Sequence, residues 1–179
     1  HVARIKELAR AGFYDGLAFY RVIDGFVAQG GDALGVRGED VEPLAAEFET
    51  TVDEDFAFYR LKDRDGYAPS VGFHESLPIG YDKKRKSAWG LHCAGAVAFA
   101  RDTDADSATT EFYIALQPQR YLDRNLTVIG RVVDGMEHVQ RLRRVAPPQS
   151  ADDDQGEAII SVKVAAELSE NERTPLEIL

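Results

Sequence analysis

The sequence predicts a mainly β fold, with short antiparallel strands, a few accompanying helices and one long insertion. Aromatic and β-branched residues gather in short runs bounded by turn signals, and Asp24-Gly25 joins two of these runs as a hairpin would. Before the C-terminal end, helical periodicity is confined to two stretches. With 179 residues, 44% apolar and 29% charged, the chain has the composition of an ordinary globular protein. One domain over residues 1–179 is expected, with the insertion at about 50–91. A chain of this size buries roughly 70% of its extended surface and needs neither disulfide nor metal to hold a core.

Residues His1 to Ala11 place Val2, Ile5, Leu8 and Ala9 at helical spacing opposite Arg4, Lys6, Glu7 and Arg10, and Gly12 stops the pattern. No cap precedes this helix and the chain does not start with Met, so earlier structure is expected upstream. Leu17 to Ile23 and Phe26 to Gln29 read as the two strands of a hairpin, broken afterwards by Gly30-Gly31-Asp32. From Ala33 to His92 turn clusters alternate with short apolar pieces, which predicts a long decorated loop region. Ala94 to Ala100, Thr110 to Leu116 and Leu126 to Val133 are strand candidates, and Gly135 opens a helix through Arg144. Ile160, Val162 and Val164 alternate within Ala158 to Leu168 as an edge strand would, and Glu170 to Leu179 reads as the start of a further helix.

Charge and motif chemistry exclude several classes. Twenty-one basic against 31 acidic residues give −10, which repels phosphate backbones and anionic lipid, so neither nucleic acid nor membrane is an expected partner. Cys93 is the lone cysteine, and no run of about 18 apolar residues is present. Asp102, Asp104 and Asp106 mimic a calcium loop, but Ser107 stands where glycine is needed and Tyr113 where the bidentate glutamate belongs. His92-Cys93, His74 and His138 lack zinc spacing, and no nucleophile elbow or phosphate loop occurs, so no metal is expected. Lys83-Lys84-Arg85-Lys86 and Asp152 to Asp154 read as solvated turns.

The densest chemical signal is FYDGLAFYRVIDGFVAQGGD, residues 13–32. In a two-residue period Phe19, Arg21 and Ile23 point one way, so the Arg21 guanidinium either snorkels to an edge, is satisfied by carbonyls or an acid, or faces a cleft. This segment resembles the cyclophilin signature of peptidyl-prolyl cis-trans isomerases, F-H-R-V-I-x-G-F-x-x-Q-G-G-D, with Tyr20 in place of the usual histidine. The likeness continues through Ala98-Phe99-Ala100-Arg101, Asp106-Ser107-Ala108, Phe112-Tyr113-Ile114, Tyr121-Leu122-Asp123 and Val128 to Met136, about half the chain in the family's order. The insertion has no counterpart in the common core and resembles a divergent bacterial subgroup. Compartment is open between bacterial periplasm and cytoplasm.

The resemblance implies an antiparallel β-barrel capped by helices, whose first strand pair would precede the helix at His1. It implies isomerisation of X–Pro bonds in polypeptide clients, by a monomer, without a cofactor. Arg21 and Gln29 fall on the catalytic positions. Phe26, Val27, Ala100, Arg101, Glu111, Phe112, Tyr113, Tyr121, Leu122 and Leu126 fall on substrate-binding positions. Glu111 stands where the family has glutamine and, as an acceptor-only charge, could occupy Arg21; Leu126 stands where histidine or tyrosine is common. These departures leave a second reading, a cyclophilin-like peptide-binding module or chaperone with little turnover.

Overall fold

In the computed structural model, which describes residues 1–35, 37–38 and 40–173, the chain forms two antiparallel sheets and two short α-helices. Helix α1 spans Val2–Arg10, and strands β1 (Ala18–Val22) and β2 (Val27–Gly31) form the hairpin predicted around Asp24-Gly25. Strands β3 (Thr50–Thr51), β4 (Tyr59–Arg60), β5 (Ser70–His74), β6 (Leu77–Asp82) and β7 (Ser87–Gly90) follow, then β8 (Ala96–Phe99), β9 (Phe112–Ala115) and β10 (Val128–Arg131). Helix α2 (Met136–Arg141) and strand β11 (Glu157–Ala158) complete the order.

The six-stranded sheet runs β10-β8-β9-β2-β1-β11. On one face Val22, Ala28, Ile114 and Val97 are successive register partners. Both helices cover this face. Leu8 and Ile5 of α1 pack with Tyr14, Phe112 and Phe19, while Met136 and Val139 of α2 pack on Val22, Ala28 and Leu116. The opposite face therefore remains for the site.

Three expectations are corrected. The stretch from Ala33 to His92 carries a five-stranded sheet, β3-β7-β6-β5-β4, in place of a decorated loop. Its β5–β6 connection is Glu75-Ser76 with φ of 45° and 68°, a tight hairpin turn built from residues that rarely adopt left-handed backbone. That turn carries no glycine or asparagine, which is why the hairpin is invisible to turn rules. Gly30 and Gly31 extend β2 where a break was expected. A side chain at Gly30 would meet Phe19 and Ile159, and the Glu111 carboxylate stands 2.6 Å from where a Cβ on Gly31 would sit, at a φ of +135°. These glycines serve close approach. At the C-terminal end only Glu157–Ala158 forms the edge strand; Ile159 enters the core while Ile160 is 90% exposed. The helix expected from Glu170 falls mostly on 174–179, outside the described residues.

Candidate active site

A single row of register partners crosses the uncovered face of the six-stranded sheet: Arg21 opposite Gln29, Gln29 opposite Tyr113, Tyr113 opposite Ala98, and Ala98 opposite Val128. Because side chains alternate between faces, residues in one such row share a side. The row lays a cation, an amide and an aromatic ring side by side on an apolar floor made by Val27, Ala98 and Tyr113.

The row exists because β1 carries one residue too many. Ala18 pairs with Gly31 and Arg21 with Gln29, so three steps on β1 oppose two on β2. This bulge overturns the simple alternation of Phe19 with Arg21. Phe19 goes to the helix-covered face, 5.9 Å from the Phe112 ring, while Arg21 turns to the other. It also lets Tyr20 and Arg21, neighbours in sequence, reach the same amide. Arg21 Nη1 donates to Gln29 Oε1 at 3.1 Å, and Gln29 Nε2 donates to the Tyr20 hydroxyl at 2.5 Å.

Around the row lies a hollow of about 170 Å³. Arg21, Phe26, Val27, Gln29, Ala100, Arg101, Tyr113, Leu122 and Leu126 line it. The Arg21 guanidinium sits 5.4 Å from the Phe26 ring centroid and, among the described residues, has no carboxylate partner. Leu122 comes from the 3-10 turn Arg120–Leu122, and Leu126 from the segment leading into β10. The Ala100 N–H donates to the Glu111 carbonyl at 2.9 Å. Arg101 itself is anchored by its side chain to Asn125 and to the carbonyls of Asp102 and Thr103.

Three of the residues expected at the site lie elsewhere. Phe112 precedes Tyr113 by one, which on a strand means the other face, and it packs against Tyr14 at 5.4 Å in the core under α1. Tyr121 is 60% exposed and does not line the hollow. Glu111 does not pair with Arg21; its carboxylate accepts from the Tyr20 hydroxyl. Burial raises the Glu111 carboxyl to about 6, against the lowering effect of the Tyr20 hydrogen bond, and among the described residues one of its oxygens has no partner. In sequence the histidine-to-Tyr20 and glutamine-to-Glu111 departures stand 91 positions apart. In the fold they are two ends of one hydrogen bond.

A second set of polar residues escaped the sequence reading. His92 is fully buried, with its Nε2 2.8 Å from the Tyr113 hydroxyl and its Nδ1 3.0 Å from Asp123. The Tyr121-Leu122-Asp123 block carried that aspartate, but its pairing depends on a histidine far away in sequence. The carboxylates of Asp102, Asp104 and Asp106 accept the backbone N–H groups of Thr103, Asp106 and Ala46, and among the described residues no His, Cys, Asp and Glu cluster is arranged to hold a metal. No described helix is long and apolar enough to cross a membrane.

The family model for cyclophilin type peptidyl-prolyl cis-trans isomerases matches residues 1–164. The chain is 29% identical over 168 residues to a probable peptidyl-prolyl cis-trans isomerase of Brucella abortus, covering 93% of this chain and 72% of that one. It is also 29% identical over 143 residues to peptidyl-prolyl cis-trans isomerase B of Bacillus subtilis, covering 79% and 73%. A crystal structure of a cyclophilin from Hirschia baltica superposes with a TM-score of 0.79 at 30% identity, covering 97% of this chain and 68% of that one. With a sheet that sets an arginine beside an apolar hollow, and a family match over most of its length, the chain belongs to the cyclophilin-type peptidyl-prolyl cis-trans isomerases.

Proposed function

We propose that the hollow on the uncovered sheet face takes the proline ring of a client polypeptide and that Arg21 catalyses rotation about the preceding imide bond. The barrier to that rotation, about 18–20 kcal/mol, comes from delocalisation of the nitrogen lone pair into the carbonyl. No bond is made or broken, so the catalyst has only to bind the twisted imide better than either planar isomer, and each 1.4 kcal/mol or so of preference is a factor of ten. A twisted imide nitrogen regains its lone pair and accepts a hydrogen bond, whereas a planar one does not. A guanidinium N–H aimed at that nitrogen therefore stabilises the transition state selectively.

The observation that carries this reading is the guanidinium of Arg21, held by Gln29 and Phe26 at the edge of the hollow with, among the described residues, no acid to neutralise it. Gln29 orients Arg21, since its amide oxygen is engaged by that guanidinium and its amide nitrogen by Tyr20. Phe26, Val27, Tyr113, Leu122 and Leu126 hold the pyrrolidine ring, and the Ala100 carbonyl and Arg101 N–H pair with the peptide backbone. The proposed enzyme is a monomer with a single domain, and the net charge of −10 favours polypeptide clients over nucleic acid. The reaction as derived needs no cofactor.

The test is a proline-limited refolding reaction and a chromogenic X–Pro peptide assay with the intact chain and Arg21→Ala. Loss of one transition-state donor is expected to lower kcat/KM by roughly a hundredfold while peptide binding stays within a few-fold. Equal rates for the two proteins would remove Arg21 from the chemistry.

A further inference from the structure

Behind the hollow a continuous line of polar side chains runs from Tyr113 on β9 to the connection between β4 and β5 in the second sheet, and isomerisation as derived above makes no use of it. Arg120 Nε donates to Asp123 Oδ2 at 2.6 Å, and its two terminal nitrogens donate to both oxygens of Asp65 at 2.6 and 2.9 Å. Asp65 in turn accepts the N–H groups of Tyr67 and Ala68, both at 2.8 Å, and the Arg120 guanidinium holds its carboxyl below the usual range. The line is buried at its His92 end and partly exposed at its Asp65 end: side-chain exposure is 0% for His92, 4% for Asp123, 16% for Arg120 and 15% for Asp65.

Proton placement along the line follows from the partners. Asp123 is paired with Arg120 and accepts the His92 backbone N–H at 2.8 Å on the same oxygen that faces the ring. An ionised carboxylate can only accept, so His92 Nδ1 carries the proton. The tautomer with its proton on Nδ1 presents Nε2 as an acceptor toward the Tyr113 hydroxyl, 2.8 Å away. Each member is thereby oriented by the next, beginning at a bidentate arginine clamp whose geometry is fixed.

We infer that Asp65, Arg120, Asp123 and His92 are positioning residues for the isomerase, and that through them the second sheet sets the angle of the Tyr113 ring that walls the proline hollow. The inference rests on reading that hollow as the proline site. Arg120 strengthens the case from its other side, because it belongs to the same 3-10 turn as Leu122, so one clamp on Asp65 holds two walls of the hollow at once. A displaced wall weakens the grip on the ring without touching Arg21, and the loss should appear mainly in KM.

The experiment compares Asp65→Asn, Tyr113→Phe and their combination in the X–Pro peptide assay, with Arg21→Ala as reference. Asp65→Asn keeps the side-chain volume but breaks the bidentate clamp. It should raise KM roughly fivefold with kcat nearly unchanged. Tyr113→Phe cuts the line at its far end, so adding Asp65→Asn to it should cost clearly less than it does alone. Wild-type KM in Asp65→Asn, or losses that multiply in the double variant, would overturn the inference. Ring ¹⁵N NMR of His92 in the unaltered chain gives a check independent of variant folding: a proton on Nδ1 with Nε2 unprotonated supports the line, and a proton on Nε2 breaks it. Full activity in Arg21→Ala would instead sink the proline-site reading itself.

Discussion

Arg21 and Gln29 are Cα register partners across the β1–β2 ladder, and the arginine Nη1 lies 3.1 Å from the glutamine amide oxygen. A lone guanidinium on a long stem samples many rotamers, and ordering one costs about 2 kcal/mol. The register partner and the Phe26 ring at 5.4 Å restrict that freedom before a ligand arrives. Gln29→Ala is thus expected to leave the fold intact and lower kcat/KM by roughly tenfold, less than loss of Arg21 itself. Steady-state kinetics on an X–Pro peptide read this directly, and an unchanged rate would show that Arg21 needs no such support.

Glu111 makes the chain's stability depend on pH in an unusual direction. Its carboxyl sits at about 6 in the folded protein against an ordinary 4.5, because burial disfavours the charged form. Between those values the folded chain holds more protons than the unfolded one, so stability from this group is complete below pH 4.5 and is lost as pH rises through 6. The loss amounts to about 2 kcal/mol. Glu111→Gln should abolish that decline, so the difference in unfolding free energy between variant and parent grows between pH 4.5 and 6 and is flat above. Urea titrations across that range measure it, and a constant difference would contradict the assignment.

The same substitution separates the two readings left open by the sequence. Glu111 is turned to Tyr20, and among the described residues Arg21 has no acid partner, so Glu111→Gln is expected to change kcat by less than about twofold at pH 7.5. A large rise in kcat would mean that Glu111 restrains Arg21 in solution.

Gly80 lies under the chain's single tryptophan. The two are register partners on β6 and β7, and a methyl at Gly80 would overlap the Trp89 indole. Gly80→Ala should therefore displace the ring, shift tryptophan emission to longer wavelength and cost about 1–3 kcal/mol of stability. An unshifted spectrum would show that the second sheet yields elsewhere.

The hairpin of β1 and β2 and the identity of the arginine and glutamine on it could be read before any fold was known, because a turn signal and its flanking residues are local. The helix at the start and strands β8 to β10 were legible for the same reason: apolar periodicity is written in neighbouring residues. The second sheet was not, since Glu75-Ser76 makes its tightest turn in a conformation those residue types rarely adopt, and only cross-strand pairing holds them there.

Face and partner were decided by the tertiary structure. One extra residue on β1 sends Phe19 into the core and Arg21 to the hollow, and no two-residue period anticipates a bulge. Glu111 meets Tyr20 across 91 positions, and Asp65 meets Arg120 across 55, with energies that depend on burial, which a sequence does not display. The amino-acid order thus determined which chemistry the chain carries, and packing at long range decided where each group points and what it is paired with.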